Sequence, residues 1–390
     1  MGKCARRDDA GMGMKILYIG CYRDHTGWGQ AAIDYILSMD SVGIDVVCRP
    51  LKLNQTQGDL PHRILELEGR FSEGCNVCIQ HVLPHYMDYN GRFDKNIALY
   101  ATETSHFKRS AWTQRINTLD EAWVINNQSK ESSLNSGVNI PIKVIPHACD
   151  TKKFDKRYNL LESQELLDNF VFYFIGDLTH RKNLPALLKA FHLEFDANEN
   201  VELLVKTSQY GLSPDECAEK VRNLCLDVKK NLKLYASPEK YKEELIVTDR
   251  LNEEDICRLH TTCDCFVMPS HGEAWCIPAF DAMGFGKTPI CTDVGGVSDF
   301  LKNGGGSLVP GHQEPVFGMT ETFEDIFTGD EDWTRVDIRK LQLEMRKVYE
   351  TYKSDKNSYT KLQKQGRDAA ENFSYEKVGQ LIKDELENVS

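Results

Sequence analysis

The chain alternates between short apolar segments and longer stretches in which apolar positions recur with helical spacing. Residues 14–20 (MKILYIG) form the first apolar segment, and residues 29–43 (GQAAIDYILSMDSVG) have the periodicity of a helix. The strand candidates that follow are residues 44–50, 76–82, 97–103, 121–127 and 142–148. Apolar strands separated by helices are typical of a parallel sheet covered on both faces. The first part of the chain therefore predicts one doubly wound α/β domain.

The same alternation starts again in the second half of the chain. Residues 170–178 (FVFYFIGDL) have the pattern of another opening strand, and residues 183–195 that of its helix. Further strand candidates are residues 201–207, 245–251, 263–270, 288–294 and 306–310. After residue 330 we expect a helical, charged chain. The two series predict an α/β protein with two doubly wound, Rossmann-like parallel-sheet domains that face one another across a cleft.

The length of 390 residues exceeds what one ordinary core holds, which also favours two domains. The polar stretch at residues 151–168 is the predicted linker. We expect a flexible leader at residues 1–13, an N-terminal domain at 14–165 and a C-terminal domain at 166–365. Residues 366–390 are expected to form a helix that packs back on the N-terminal domain.

Composition and charge narrow the class of protein. Hydrophobic residues make up 41% of the chain and charged residues 27%, the balance of a soluble globular protein. The net charge of −12 makes nucleic acid an improbable partner. Neither an apolar run of about 20 residues nor a signal peptide is recognisable, so we expect a cytoplasmic protein. The 13 cysteines lack paired zinc spacing and favour reduced, buried thiols. The oligomeric state stays open.

Two carboxylates lie close together in residues 270–290 (SHGEAWCIPAFDAMGFGKTPI). Glu273 falls on the loop after a predicted strand, Pro278 fits the first turn of the next helix, and Asp281 is expected in that same turn. Free backbone amides at the start of a helix favour an anionic ligand. Loops at the carboxyl ends of parallel strands are where α/β proteins bind ligands. Taken alone, the two acids favour a structural role, that of a helix with an acidic first turn.

Residues 273–290 are followed by 292–301 (TDVGGVSDFL) and preceded by 144–154 (VIPHACDTKKF) and 175–191 (IGDLTHRKNLPALLKAF). Together these segments resemble, in order and spacing, the signature segments of the retaining glycosyltransferases of family 4. In that family the segment at 273–290 has the form E-x7-E. The resemblance covers nearly the whole chain from residue 14 and implies the GT-B fold.

The resemblance also implies how a nucleoside-diphosphate sugar is held. Glu273 takes the place of the family's glutamate that contacts the donor sugar, and Asp281 that of the glutamate that hydrogen-bonds the ribose. Lys182 takes the place of the diphosphate lysine, and Arg181 beside it is positioned to neutralise charge on the leaving group. The backbone and glycine positions expected to border the donor are Gly272, Ala274, Trp275, Cys276, Ile277, Gly295 and Gly296.

The N-terminal domain offers candidates for the acceptor side. Residues 21–32 (CYRDHTGWGQAA) form a predicted glycine loop after the first strand. It resembles the family's loop that faces the diphosphate and the acceptor, which implies this role for Gly27, Trp28 and Gly29. A carboxylate or imidazole at a strand end can orient an acceptor hydroxyl or accept its proton. The candidates for that role, each with a surface or capping role as the alternative, are His81, His85, Glu103 and His106.

Two departures from the family pattern stand out. Gly176 is followed by Asp177 where the family has arginine, and the second acid is Asp281 rather than glutamate. We therefore keep two hypotheses. The first is a retaining, metal-independent glycosyltransferase that moves a hexose-type sugar from a nucleoside-diphosphate sugar to a hydroxyl. The second is a sugar-nucleotide-binding or partner subunit that has lost turnover. The catalytic residues that the first hypothesis predicts are Glu273, Lys182, Arg181, Glu103 and His81.

No cofactor or metal is predicted beside the nucleotide-sugar co-substrate. A D-x-D motif on a strand-end loop would indicate a divalent ion, and the one match to D-x-D, DED at 330–332, is expected in a charged surface stretch. The nucleotide, the sugar and the linkage stay open. So does the acceptor, which can be a glycan, a protein or a small molecule.

Overall fold

The computed structural model of the protein describes residues 14–24, 26–52, 59–320 and 322–387. The leader predicted at residues 1–13 lies outside the described residues. Within them, the chain forms two parallel six-stranded sheets and one small antiparallel hairpin. The two doubly wound domains predicted from the apolar pattern are therefore confirmed.

The first sheet is parallel throughout, with the strand order β2-β1-β3-β4-β5-β6. Its strands are β1 (Lys15–Gly20), β2 (Asp45–Pro50), β3 (Val77–His81), β4 (Lys95–Tyr100), β5 (Glu121–Val124) and β6 (Ile142–Val144). Its helices are α1 (Gly27–Ser41), α2 (His62–Glu68), α3 (Trp112–Ile116) and α4 (Asn127–Asn135). Consecutive residues of β1, such as Ile16, Leu17 and Tyr18, are all buried. Because neighbouring side chains of a strand point to opposite faces, both faces of this sheet are covered.

The second sheet repeats the plan with the order β12-β11-β10-β7-β8-β9. Its strands are β7 (Phe170–Asp177), β8 (Val201–Ser208), β9 (Glu244–Val247), β10 (Cys265–Met268), β11 (Ile290–Thr292) and β12 (Ser307–Val309). The helices in this part of the chain are α5 (Gln164–Asp168), α6 (Leu184–Glu194), α7 (Pro214–Leu232), α8 (Glu253–Thr262), α9 (Ile277–Gly284), α10 (Gly295–Leu301), α11 (Ile338–Ser354) and α12 (Lys356–Ala370).

The order of the strands locates the place where a ligand is expected. In the first sheet β1 lies between β2 and β3, and in the second β7 lies between β10 and β8. Open α/β sheets bind ligands beyond the carboxyl ends of their strands at such a reversal of strand order. In the second sheet that place lies between residues 178–183, which follow β7, and residues 269–276, which follow β10. We call residues 269–276 the acid loop.

A hairpin that the sequence did not predict interrupts the C-terminal part of the chain. β13 (Gly311–Pro315) pairs antiparallel with β14 (Asp332–Val336), so the expectation of a purely helical chain after residue 330 is wrong. The sequence of β13, GHQEP, is nearly devoid of apolar side chains and therefore lacks the pattern of a strand. Residues 322–331, just before β14, contact the first domain, and we call them the crossing arm.

The last helix, α13 (Tyr375–Glu387), packs on α1 of the first domain. A Cβ on Gly379 would lie 2.1 Å from the backbone oxygen of Ser38, so the two helices approach more closely than a larger residue allows. Val378 and Ile382 are buried in the apolar core of the first domain. Across the described ranges, no helix combines the length and apolar character needed to span a membrane.

Candidate functional site

The segments after β7 and β10 bring a lysine and a glutamate into direct contact. Lys182 ends a short 3-10 turn, and its Nζ atom lies 2.8 and 2.9 Å from the two carboxylate oxygens of Glu273 in the acid loop. The side chain of Glu273 is only 4% exposed and that of Lys182 13%. The sequence separates these residues by 91 positions, and the sheet order brings them together.

Arg181 extends this contact to the first domain. Its Nη1 atom donates to the backbone oxygen of Gly272 at 2.6 Å and lies 3.1 Å from a carboxylate oxygen of Glu103. The same atom is 3.5 Å from Glu273. Glu103 lies on the loop after β4. We call Glu103, Arg181, Lys182 and Glu273 the cleft cluster, since these four charged side chains join the two domains across the cleft.

The two acids of the cleft cluster are shifted in opposite directions. Burial pushes the pKa of Glu273 upward, but Lys182 and Arg181 more than offset it and hold that pKa below its usual value. Burial raises the pKa of Glu103, Arg181 opposes the shift, and the nearby Glu273 carboxylate adds to it. The cluster thus pairs a firmly ionised acid with one that takes up a proton more readily.

The acid loop is held tightly against the first domain. A Cβ on Gly272 would lie 2.1 Å from the backbone oxygen of Glu103, so only glycine allows this approach. The backbone amide of Ala274 donates to the Glu103 carboxylate. That amide is therefore engaged, and the expectation that it is free to bind a ligand is wrong in this structure. The predicted contacts of Trp275, Cys276 and Ile277 with the donor stay predictions.

Helix α9 begins at Ile277, one residue before Pro278, and this start places Asp281 beyond the first turn. Cys276 occupies the left-handed region at φ 66° and precedes the first helical residue, Ile277. Pro278 lies in the first turn, as predicted. Asp281 is the fifth residue of the helix and lies in its second turn, so its predicted place in the first turn is wrong. The helix dipole acts mainly on the first turn and does not account for this carboxylate.

The carboxylate of Asp281 forms a buried ion pair with Lys153. The Nζ atom of Lys153 lies 2.8 Å from Oδ1 and 2.9 Å from Oδ2. The side chains are 8% and 12% exposed. Burial raises the pKa of Asp281, and Lys153 opposes this shift. Lys153 follows the last strand of the first domain, so this pair lies where the two domains join. The predicted contact of Asp281 with a ribose stays a prediction.

A hydrogen-bonded group around Asp34 adjoins this ion pair. Asp34 accepts from the hydroxyl of Tyr375 at 2.6 Å, and its Oδ2 lies 3.0 Å from Nε2 of His147. The ring of His147 stacks near the indole of Trp275, with centroids 6.0 Å apart. This group therefore connects α1, the domain junction, the acid loop and α13.

Gly27, Trp28 and Gly29 form the first turn of α1 and not a loop, which corrects the prediction. Thr26 caps the helix by accepting from the amide of Gly29. A Cβ on Gly29 would lie 1.9 Å from the backbone oxygen of Asp24, whereas one on Gly27 would meet no atom of the described residues within 4 Å. Gly29 therefore permits a tight turn.

Gly295 and Gly296 allow the backbone of the acid loop to approach closely. A Cβ on Gly295 would lie 1.7 Å from the oxygen of Glu273, and one on Gly296 would lie 2.6 Å from that of Ala274. Gly295 also has φ 54°, a region that favours glycine. The close approach that these glycines allow is to the acid loop, and contact with a donor stays a prediction.

His81 is buried at the end of β3. Its Nδ1 atom lies 2.6 Å from the hydroxyl of Tyr18, and its ring centroid lies 5.2 Å from that of Trp28. Burial, aided by His147, lowers the pKa of His81 to about 3. A base that loses its proton at about pH 3 is too weak to assist an acceptor hydroxyl near neutral pH. The structure thus argues against the predicted role of His81 in proton transfer.

Three of the four serines on one face of α4 and its C-cap hold the loop that carries Glu103. The hydroxyl of Ser129 donates to the backbone oxygen of Thr102 at 3.0 Å. The hydroxyl of Ser136 accepts from the amide of Phe107 at 2.7 Å. Sequence reasoning overlooked this set, although its spacing of three, four and seven positions marks one helix face. The four buried serines are Ser129, Ser132, Ser133 and Ser136.

The crossing arm was also missed. His85, a predicted acceptor-side residue, lies 2.8 Å from Asp325 of the arm through its Nε2 atom. The hydroxyl of Thr104 donates to Glu331 at 2.6 Å. Glu331 is 2% exposed. The prediction that the DED triplet lies in a charged surface stretch is therefore wrong for this residue. The aromatic residues within an acidic segment, TFEDIFTGDE, were the one available signal.

A cavity of about 510 Å³ lies beside the cleft cluster, between the first domain and the crossing arm. Glu103 and Ala274 border it on the side of the cluster. Trp28 closes it on the side of α1, and Phe323 and Phe327 close it on the side of the arm. Among the residues described, no group of three or more potential metal-binding side chains is found.

The fold is that of a GT-B protein, a class built from two facing Rossmann-like domains. The family model of glycosyl transferases group 1 matches residues 159–317, which include β7 to β13 and the acid loop. Lipopolysaccharide 1,2-N-acetylglucosaminetransferase of Salmonella typhimurium is 24% identical over 167 residues. This match spans 42% of the present chain and 41% of that relative.

Solved structures resemble the chain over nearly its whole length. HepE of Anabaena, in complex with UDP and glucose, has a TM-score of 0.61 at 14% identity. The match covers 96% of this chain and 100% of the HepE chain. Sucrose-phosphate synthase of Thermosynechococcus elongatus has a TM-score of 0.64 at 14% identity, with coverages of 97% and 99%. At such identities these likenesses support the fold.

Proposed function

We propose that this protein is a glycosyltransferase that moves a hexose-type sugar from a nucleoside-diphosphate sugar to a hydroxyl acceptor. The observation that carries the proposal is the cleft cluster, in which Arg181 and Lys182 meet Glu273 and Glu103 beyond the carboxyl ends of β7 and β10. The match of this part of the chain to glycosyl transferases group 1 supports it.

The charges of the cluster suit the chemistry of the transfer. Breaking the bond between the anomeric carbon and the diphosphate leaves the bonding electrons on the diphosphate. Lys182 and Arg181 are positioned to neutralise that charge, because both cations are largely buried and need little reorganisation. Glu273, which holds Lys182 in this structure, would turn to the hydroxyls of the donor sugar.

We further propose that the anomeric configuration is retained, without a metal ion. The acceptor hydroxyl then attacks from the face that the diphosphate leaves, and a diphosphate oxygen takes up its proton. Glu103 orients the hydroxyl as a hydrogen-bond acceptor. The two cations do the work that a divalent ion does in metal-dependent transfer. Undiminished transfer after chelation of divalent ions is the expected result.

Uridine diphosphate sugars are the first donors to test. The solved complexes of HepE contain UDP-glucose, or UDP and glucose, and a trehalose-6-phosphate structure from E. coli contains UDP-2-fluoro glucose. A thermal-shift screen of the purified protein with UDP-, GDP- and ADP-sugars, followed by assays of nucleotide release, tests the proposal. Stabilisation by one nucleotide series together with release of its diphosphate is expected. An unchanged melting temperature with all of them contradicts the proposal.

A partner subunit without turnover is the second candidate. Two observations favour it: the carboxylate of Asp281 is already engaged by Lys153, and Asp177 replaces an arginine of the resembling family. The side chain of Asp177 accepts from Ser208 at 3.4 Å. The same assays separate the two candidates, since donor binding without transfer or donor hydrolysis is expected of a partner subunit.

A further inference from the structure

We propose that the cavity beside the cleft cluster is the acceptor site, that the crossing arm completes it, and that it takes an uncharged alcohol with an apolar, aromatic-sized body. This inference rests on the proposed glycosyl transfer and specifies its acceptor. A phosphorylated or carboxylated acceptor is excluded by the same cavity.

The position of the cavity fits an acceptor. It meets the cleft cluster at Glu103 and at Ala274 of the acid loop, and otherwise extends into the first domain. Glu103 therefore faces the cavity on one side and Arg181, 3.1 Å away, on the other. A hydroxyl that donates to Glu103 from the cavity lies next to the place where Lys182 and Arg181 hold the leaving diphosphate.

The composition of the wall sets the chemistry of the ligand. Of the fourteen described residues that line the cavity, nine are apolar, three are threonines and two are glutamates. Among these described residues there is no lysine, arginine or histidine. An anionic acceptor would leave water, meet two carboxylates and gain no cation from these residues in return. A volume of about 510 Å³ falls in the usual range for small-molecule sites and exceeds what a single small alcohol fills.

The cavity wall has few polar groups, and some of them already take part in hydrogen bonds within the protein. It therefore offers too few hydrogen-bond partners for a sugar-like acceptor. Glu331 already accepts from the hydroxyls of Thr104, at 2.6 Å, and Thr328, at 3.0 Å. A saccharide that filled the cavity would bury hydroxyls without partners, which is costly. Trp28 and Phe327, which are only partly buried, instead line the cavity as aromatic residues that can pack against an apolar body.

The crossing arm is anchored to the first domain by specific hydrogen bonds. The indole N–H of Trp112 donates to Nδ1 of His85 at 2.9 Å, so the proton of neutral His85 lies on Nε2. That N–H donates to Asp325 at 2.8 Å, and the hydroxyl of Ser110 donates to the same carboxylate at 2.7 Å. The ring of Phe323 stacks on His85 with centroids 4.4 Å apart.

The crossing arm has an unusual backbone conformation at Phe327, where it lines the cavity. Its φ of 56° lies in the left-handed region, which is strained for a residue with a side chain. This turn lies at the cavity wall, which Phe327 helps to line. Backbone strain of this kind persists where the surrounding structure holds it, and here it lies at the wall of the proposed acceptor site.

The test compares two ligands that share a body and a hydroxyl and differ in charge. They are 4-biphenylmethanol and 4′-(hydroxymethyl)biphenyl-4-carboxylate, each titrated into the purified full chain with saturating nucleoside diphosphate present. We expect the neutral alcohol to bind more tightly by about tenfold or more, since like-charge contact is strongly unfavourable. Maltose, as an uncharged polar probe of similar length, is expected to bind more weakly than the neutral alcohol.

Variants of the arm identify the site. Phe327→Ala should weaken binding of the neutral alcohol about tenfold, as truncation of a central aromatic contact does. Phe317→Ala is the matched control, because Phe317 is 81% exposed and outside the cavity lining. Thr322→Lys places a cation in the wall and should reduce the preference for the neutral ligand. Equal affinity for the two biphenyl ligands, preference for maltose, or indifference to Phe327→Ala would overturn the inference.

The outcomes also separate this inference from the proposed function. If no nucleoside diphosphate or nucleotide sugar binds, the proposed function itself fails. If a nucleotide sugar binds and is turned over while the neutral alcohol shows no preference, the acceptor inference fails and the proposed glycosyl transfer stands.

Discussion

Lys182 and Glu273 neutralise each other in the cleft, with the lysine Nζ atom 2.8 and 2.9 Å from the two carboxylate oxygens. The same two residues are those that the sequence resemblance assigns to the diphosphate and to the donor sugar. Under the proposed function, a donor diphosphate would compete with Glu273 for Lys182. Release of the carboxylate from the lysine would then leave Glu273 free to hold the hydroxyls of the sugar.

Lys182→Ala should weaken the binding of nucleoside diphosphates about tenfold to a hundredfold. The reason is the loss of a charge-assisted contact, which contributes about 1.5–3 kcal/mol. Isothermal titration calorimetry measures the effect. Lys189→Ala, at an exposed position of α6, is the matched control and should bind as the original protein does. Equal affinity in both variants would show that the diphosphate does not contact Lys182.

Glu273→Ala should abolish transfer and leave the binding of nucleoside diphosphates nearly intact. Without its partner, Lys182 is free for the diphosphate, so affinity for the nucleotide is not expected to fall. Single-turnover assays and calorimetry on the same preparation give the two quantities. Glu239→Ala, at a fully exposed position, serves as control. A Glu273 variant that loses nucleotide binding but turns over bound donor would reverse the assigned roles.

Asp281→Ala is predicted from the sequence to weaken nucleotide binding, and the structure adds a second effect. The change leaves Lys153 buried without its partner, which costs about 3–5 kcal/mol of folding free energy. Urea denaturation measures this loss. The double variant Lys153→Met, Asp281→Leu should regain much of the stability, because it removes both charges.

The two effects of Asp281 are separable. If the double variant is stable but binds nucleotide weakly, Asp281 contacts the ribose as the resemblance implies. If the double variant is stable and binds normally, the ion pair is structural. A single Asp281→Ala variant with unchanged stability would contradict the contribution of the ion pair to folding.

Stability should fall as the pH decreases from about 6.5 toward 3. Burial lowers the pKa of His81 and of His260 to about 3, below the ordinary value of 6.5. The unfolded chain therefore binds protons in this range that the folded chain does not, and each unit of pKa difference is worth about 1.4 kcal/mol. Urea midpoints measured across this pH range should show the slope.

Replacement of His260 by asparagine should flatten that slope even if it lowers stability at every pH. His62→Asn is the matched control, since the side chain of His62 is 85% exposed. An unchanged slope in the His260 variant would show that this imidazole is charged in the folded protein.

Much of the fold follows from the apolar pattern. All twelve strands of the two parallel sheets coincide with predicted apolar segments, because strands buried on both faces are apolar along their whole length. Lys182 and Glu273 were each placed on a loop at the carboxyl end of a strand, but their direct contact was not predicted, because it depends on β7 and β10 being neighbours in the sheet. Local pattern and sheet order together are enough to bring these residues into one cleft.

The sequence did not predict the crossing arm or the partner of Asp281, and the reason is physical. Asp325 meets His85 across 240 positions and Asp281 meets Lys153 across 128, and neither contact arises from a repeating pattern. β13 owes its strand conformation to pairing with β14 and not to its own side chains. Contacts between irregular segments depend on how the two domains meet, which local periodicity does not encode.

The most direct test of the account is calorimetric titration of a nucleotide sugar into the protein, paired with an assay of diphosphate release. For at least one donor among UDP-, GDP- and ADP-sugars, we predict saturable binding that Lys182→Ala weakens. We also predict slow release of the diphosphate, which an acceptor alcohol accelerates. If none of these donors binds, or if binding is indifferent to Lys182, the cleft cluster is not a donor site and the account is wrong.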